Sequence, residues 1–192
     1  MSIELSLPPG DFDAYLFDCD GTIADTMPLH YKGWQHVLTP RGCPFDLELF
    51  YSWGGIPTAT IVEMLNDKFR LKMPVDEVLE EKENFFLAAL SGVQPIRSVV
   101  LHIEKQHGKI PFAVVSGGPG ETVRKTLATL NLLDRFETIV AAEDYSRGKP
   151  HPEPFLTAAL RLGVAPEKCL VFEDAELGIQ SAKAAGMAYV RV

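Results

Sequence analysis

At residues 13–22 the chain reads Asp13-Ala14-Tyr15-Leu16-Phe17-Asp18-Cys19-Asp20-Gly21-Thr22. Residues 12–18 are a short apolar run ending on an acid, and Gly21 breaks it. Such a run predicts a buried strand that delivers Asp18 to its carboxyl end. The same form recurs at 111–115, 138–141, 169–172 and 188–192, each run short, apolar and bounded by Gly, Pro or charge. Helical periodicity fills the intervals. Ile96, Val99, Val100 and Ile103 share a face over 96–107, as do Val123, Leu127 and Leu130 over 119–131. Phe155, Ala158, Ala159 and Leu162 do so over 152–162, and Leu177, Ile179, Ala182 and Ala185 over 175–185, where Gly186 ends the helix. Alternating strands and helices predict an α/β fold with a doubly wound parallel sheet.

Between Thr26 and Val93 the alternation stops. Helices are predicted at 27–39, 46–52, 57–70 and 74–90, punctuated by Pro40, Gly42, Pro57 and Pro74. This predicts an all-helical domain, residues 26–93, inserted into a Rossmann-like core made of residues 1–25 and 94–192. Trp34, Trp53, Phe85 and Phe86 are expected to form its core.

The chain has 192 residues, enough for one ordinary domain or a smaller one carrying an insertion. It is 46% hydrophobic and 23% charged, the balance of a folded globular protein. Its net charge of −8 argues against nucleic acid and against an anionic membrane surface as partners. No apolar run approaches the roughly 20 residues of a membrane span. Met1 to Pro9 lacks the basic and apolar regions of a secretory signal, so a cytoplasmic setting is expected. Cys19, Cys43 and Cys169 are odd in number and form no CxxC pair, so neither a disulfide framework nor a zinc site is expected.

In a sheet of this type, ligands bind outside the carboxyl ends of the strands. The ends or following loops of four predicted strands carry Asp18 and Asp20, then Ser116-Gly117-Gly118, then Lys149, then Glu173 and Asp174. Four carboxylates gathered without a cation would repel one another. Mg²⁺, which takes oxygen ligands, removes that conflict and leaves one carboxylate able to act as a nucleophile. Lys149 would offset charge, while Ser116 Oγ and the amides of Gly117 and Gly118 would receive phosphate oxygens. The parts suit phosphoryl transfer. Asp also caps helices and forms turns, and Lys82 within Glu80-Glu81-Lys82-Glu83 has the pattern of a solvated helix face.

The order DCDGT, Ser116 after Val-Val, Gly148-Lys149-Pro150 and Glu173-Asp174-Ala175-Glu176-Leu177-Gly178-Ile179 resembles the haloacid dehalogenase superfamily over nearly the whole chain. The stretch from Thr22 through His30 to Trp34 is similar to its β-phosphoglucomutase branch. Phe172 to Gln180 is more similar still to the sugar-phosphate phosphatases of that branch, the fructose-1-phosphatase type. The resemblance implies a Mg²⁺-dependent phosphatase that acts on a small phosphorylated metabolite through an aspartyl-phosphate. Asp18 is then the nucleophile, and Asp20 the acid and later the base. Asp18, the Asp20 carbonyl, Asp174 and Glu173 form the metal site. Ser116, Gly117 and Lys149 hold phosphate, and Thr26 and His30 couple the helical cap to the chemistry. A phosphomutase reading is the alternative. It needs a grip on a second phosphate, and where β-phosphoglucomutase has an arginine, the stretch Gly55-Ile56-Pro57-Thr58 offers Thr58. Lys82 or Lys68 could supply the missing cation. A monomer or weak dimer is expected.

Overall fold

The computed structural model of the chain describes residues 5–54 and 56–192, so Met1–Glu4 and Gly55 lie outside the described residues. Five strands, β1 (Ala14–Phe17), β2 (Phe112–Val115), β3 (Thr138–Val140), β4 (Cys169–Glu173) and β5 (Ala188–Arg191), form one sheet in the order β3-β2-β1-β4-β5. Every neighbouring pair is parallel. The chain winds outward from β1 through β2 to β3, then crosses back to β4 on the other side of β1. The reversal lies between β1 and β4, where a crevice opens at the carboxyl ends of the strands.

Alternation along the strands explains the two layers of helices. Tyr15 and Phe17 point to one face with Phe112, Val114, Leu170 and Phe172, beneath α5 (Arg97–Gln106) and α6 (Gly120–Thr129). Ala14 and Leu16 point to the other with Ala113, Val115 and Val171, beneath α7 (Glu153–Leu162) and α8 (Glu176–Ala184). Both faces are buried, which is why the strands read as continuous apolar runs. The first face is aromatic: Phe17 and Phe172 stack across β1 and β4 with centroids 4.5 Å apart.

The helices α1 (Met27–Leu38), α2 (Leu47–Ser52), α3 (Thr58–Phe69) and α4 (Val75–Ala89) follow β1 as an all-helical insertion. Pro57 and Pro74 stand just before α3 and α4, and the Asp46 carboxylate accepts the Leu49 N–H at the start of α2. Trp34, Val37, Leu38, Phe50, Val62, Leu65 and Val78 bury one another in a core separate from those on the sheet. Phe86 is also fully buried, but in a small cluster with Ala24, Leu90 and Val93 that bridges to the sheet. The segments that leave and re-enter the sheet are hydrogen-bonded to each other, Asp25 N–H to Gln94 O at 2.9 Å and Ile96 N–H to Ile23 O at 2.8 Å. Each predicted helix and strand is present, with ends displaced by two residues at most. No helix among the described residues is long and apolar enough to cross a membrane.

At Gly178 the first turn of α8 lies so close to β4 that a Cβ would overlap the Glu173 carboxyl group. Gly178→Ala is expected to destabilise the protein by about 1–3 kcal/mol in urea unfolding, the cost of overpacking a closed contact.

Candidate active site

The turn after β1 aims its acids. Asp18 N–H continues the ladder by donating to Phe172 O at 3.0 Å. Ile23 and Ala24 N–H both donate to Cys19 O, closing a tight loop around Gly21, whose φ is +86°. A Cβ at Gly21 would overlap the Asp174 carboxylate, so position 21 needs glycine for two reasons, the positive φ and the close approach. Cys19 points into the core, while Asp18 and Asp20 border the cleft.

Lys149 reaches this point from the loop after β3. Its Nζ donates to Asp18 Oδ1 at 2.7 Å, to Glu173 Oε2 at 2.7 Å and to Val115 O at 3.1 Å. All three side chains are almost fully buried. Burial alone would lower the Lys149 pKa, but the two carboxylates raise it above the ordinary lysine value. Asp18 is pushed well above the usual carboxylate range by burial and then by Glu173, against the opposing pull of Lys149. Asp174 is pushed up to about 6 by burial and by Glu173, although Thr22 Oγ1 donates to its Oδ1 at 3.2 Å.

Asp20 has the opposite environment. Thr26 Oγ1 donates to its Oδ1 at 2.6 Å, and His30 Nε2 lies 3.2 Å from the same oxygen. Burial would raise it, but these partners hold its pKa down at about 2. Lys82 Nζ stands 3.4 Å from His30 Nδ1 and 5.3 Å over the Trp34 ring. Lys82 is buried rather than solvated: one residue of the acidic run turns inward and lines the cleft. Burial lowers its pKa, with Glu83 and Asp20 acting against that. A run of helical charges carries no information about which member turns inward, so the sequence pattern misled at this position.

Asp18, Glu173 and Asp174 offer carboxylate oxygens that all lie within 4.8 Å of one another. These three acids share one lysine, so negative charge exceeds its compensation there. The cluster therefore fits a hard divalent cation by charge and by donor type. Asp20 is not one of this group; its Oδ1 meets Thr26 and His30. Glu173 is engaged already, by Lys149 and by the Ala175 N–H at 3.2 Å.

Ser116 Oγ accepts the Gly118 N–H at 3.1 Å and lies 3.4 Å from Asp20 Oδ2. The expectation that the Gly118 amide faces phosphate is thus corrected, because Ser116 Oγ occupies it. The Gly120 N–H at the start of α6 is likewise taken, donating to the Glu143 carboxylate at 3.0 Å. Gly117 is exposed and lines the cleft. Thr58 lines the cleft at the start of α3, whereas Lys68 lies on another surface with Tyr31 and Phe69. Trp34 and Trp53, expected as core rather than as substrate platforms, also form the cleft wall with Phe50, Ile56 and Ile61. Tyr145 and Thr22 were given no role by sequence reasoning. An aromatic in the otherwise polar stretch Glu143–Gly148 was the one available signal for Tyr145.

Residues 15–192 match the model of the family described as haloacid dehalogenase-like hydrolase. Fructose-1-phosphate phosphatase of Escherichia coli is 38% identical over 178 residues, 92% of this chain and 94% of that protein. A phosphorylated carbohydrates phosphatase of Thermotoga maritima is 30% identical over 179 residues, 91% of this chain and 82% of that protein. The crystal structure of β-phosphoglucomutase from Clostridium difficile superposes with a TM-score of 0.81 at 28% identity, covering 93% of this chain and 83% of that one.

A carboxyl whose pKa is raised on folding binds its proton more tightly in the native than in the unfolded state. Stability is then lost as pH rises from the unfolded value, 3.8, through the folded value, about 6. In metal-free buffer, Asp174→Asn is expected to stabilise the protein by about 2 kcal/mol at pH 7. The gain should shrink to a small fraction near pH 4, as read by urea unfolding at the two pH values.

Proposed function

The chain belongs to the haloacid dehalogenase-like hydrolases, and we propose that it is a Mg²⁺-dependent phosphatase of small sugar phosphates working through an aspartyl-phosphate on Asp18. The observation that carries this is geometric: Lys149 Nζ donates to Asp18 and Glu173 at 2.7 Å each, and Asp18, Glu173 and Asp174 bring carboxylate oxygens within 4.8 Å of one another beside Ser116 and Gly117 in one cleft.

Residues 26–93 act as a cap over a core made of residues 1–25 and 94–192. Lys149 fixes one Asp18 oxygen, leaving the other for in-line attack on phosphorus. Ser116, the Gly117 amide and Lys149 hold the transferring oxygens. Asp20, a carboxylate bound to His30, is set to accept the proton of an attacking water. The same pair can load a proton onto Asp20 for the departing sugar oxygen. Mg²⁺ held by Asp18, Asp174 and the Asp20 carbonyl, with Glu173 close by, would supply positive charge that keeps Asp18 ionised and offsets the phosphoryl group. Thr26 and His30 tie the cap to Asp20, so closure of the cap and readiness of Asp20 go together.

The wall that meets the rest of the substrate is indole and aliphatic. Lys82 is its lysine, already engaged by His30 and Trp34, and no arginine lines the cleft among the described residues. A mutase must grip two phosphates, so this wall favours hydrolysis over the phosphomutase alternative.

A phosphate-release screen over sugar phosphates, with and without Mg²⁺, is expected to show metal-dependent hydrolysis. Asp18→Asn should lose about 10⁴-fold or more of it while keeping its far-UV spectrum. Retained turnover in that variant would remove Asp18 as nucleophile. With β-glucose 1-phosphate, free phosphate is expected; accumulation of glucose 6-phosphate would identify the mutase instead.

A further inference from the structure

The loop between β3 and α7 grips the end of β2 by its carbonyl groups. Lys149 Nζ donates to Val115 O at 3.1 Å, the Tyr145 hydroxyl to Ser116 O at 3.1 Å, and Ala142 N–H to Gly118 O at 3.0 Å. A carbonyl oxygen facing a phosphate would repel it, so engaging these three removes them from the anion. The middle one does more. Ser116 C=O and Gly117 N–H belong to one planar trans peptide unit and point in opposite directions. Fixing the carbonyl therefore fixes the amide, and Gly117 lines the cleft.

Tyr145 is well placed for this work. Its loop is anchored by the Asp144 carboxylate, which accepts the Ala141 N–H at 2.8 Å and pairs with Arg161. Its ring packs against Gly148, one residue before Lys149. Burial raises the phenol pKa, so the hydroxyl keeps the proton it donates.

We infer that Tyr145 is a positioning residue for phosphate: through the Ser116 carbonyl it sets the rotation of the Ser116–Gly117 peptide and aims the Gly117 amide at the phosphoryl oxygens. This rests on the phosphatase reading above. Tyr145 does not touch the reacting atoms in this role, and its effect falls on binding of the phosphate group.

The test compares wild type, Tyr145→Phe, Gly117→Pro and the double variant as full-length chains with Mg²⁺. The readouts are inhibition by inorganic phosphate, and KM and kcat for a hydrolysed sugar phosphate. Tyr145→Phe is expected to weaken phosphate inhibition and raise KM by about 3–10-fold, the range of one hydrogen bond, with a smaller change in kcat. Gly117→Pro deletes the amide itself, so in that background Tyr145→Phe should add little. Unchanged phosphate inhibition in Tyr145→Phe, or fully additive losses in the double variant, overturns the inference even if thermal stability falls. In wild type the Gly117 amide proton resonance should move on addition of inorganic phosphate, and an unmoved resonance overturns it without any variant. A wild type that neither hydrolyses sugar phosphates nor is inhibited by phosphate overturns the phosphatase reading as well. An active wild type with an indifferent Tyr145→Phe overturns only the role of Tyr145.

Discussion

One buried lysine, shared by two buried carboxylates, joins the parts of this molecule. Lys149 takes Asp18 from the end of β1 and Glu173 from the end of β4, at the place where the strand order reverses. Desolvating three charges is costly, and in an otherwise apolar interior the arrangement survives because each charge has a partner. The neighbouring Asp174 leaves the group short of positive charge. A structural ion pair would be balanced; this one is left acidic, and an acidic remainder beside a bound lysine suits a cation together with an anion. The chain's overall acidity is thus in part a property of its site.

Asp20 is governed from the opposite side. Its partners Thr26 and His30 lie at and just beyond the point where the helices begin, and Lys82 on α4 backs His30. The two acids of the Asp-x-Asp pair therefore report on different bodies of the protein, Asp18 on the sheet and Asp20 on the helices. The groups that hold the Asp20 pKa down, His30, Thr26 and Lys82, all lie at or beyond the start of the helical segment. The helical insertion thus contributes hydrogen-bond partners to an acid that the first strand delivers.

The residues legible in the sequence were those whose position follows from the end of a strand. Asp18, Ser116, Lys149, Glu173 and Asp174 converge because parallel strands finish at one edge, and a motif read along the chain carries that information. Helix ends were legible because prolines and glycines mark them. What escaped was rotation about a helix axis and the direction of a side chain within a loop. Lys82, a candidate for substrate binding, had the charge pattern of a solvated face, Trp34 and Trp53 read as core rather than as platforms, and Gly118 read as free although its amide is on Ser116. Lys68, a cation at an equally plausible distance along the chain, faces elsewhere. Strand order also lay beyond reach, since short apolar runs of similar composition do not say which neighbours they choose. Tyr145 stood out in its polar stretch, but its partner did not: its contact is with a backbone carbonyl, and any residue can present one.

The paired segments at Ile23–Asp25 and Gln94–Ile96 have a consequence for how this protein can change. Because the chain departs and returns side by side, the sheet experiences the whole helical region as a turn between β1 and β2, whatever its size. Closing such an excursion costs chain entropy that grows only logarithmically with its length. Helices there can be lengthened or remodelled without altering strand register, provided the residues that meet Asp20, Thr26 and His30, are kept. The architecture separates what is varied from what is kept: one continuous segment of the gene can be rewritten while the dispersed acids and Lys149 at the strand ends stay where they are.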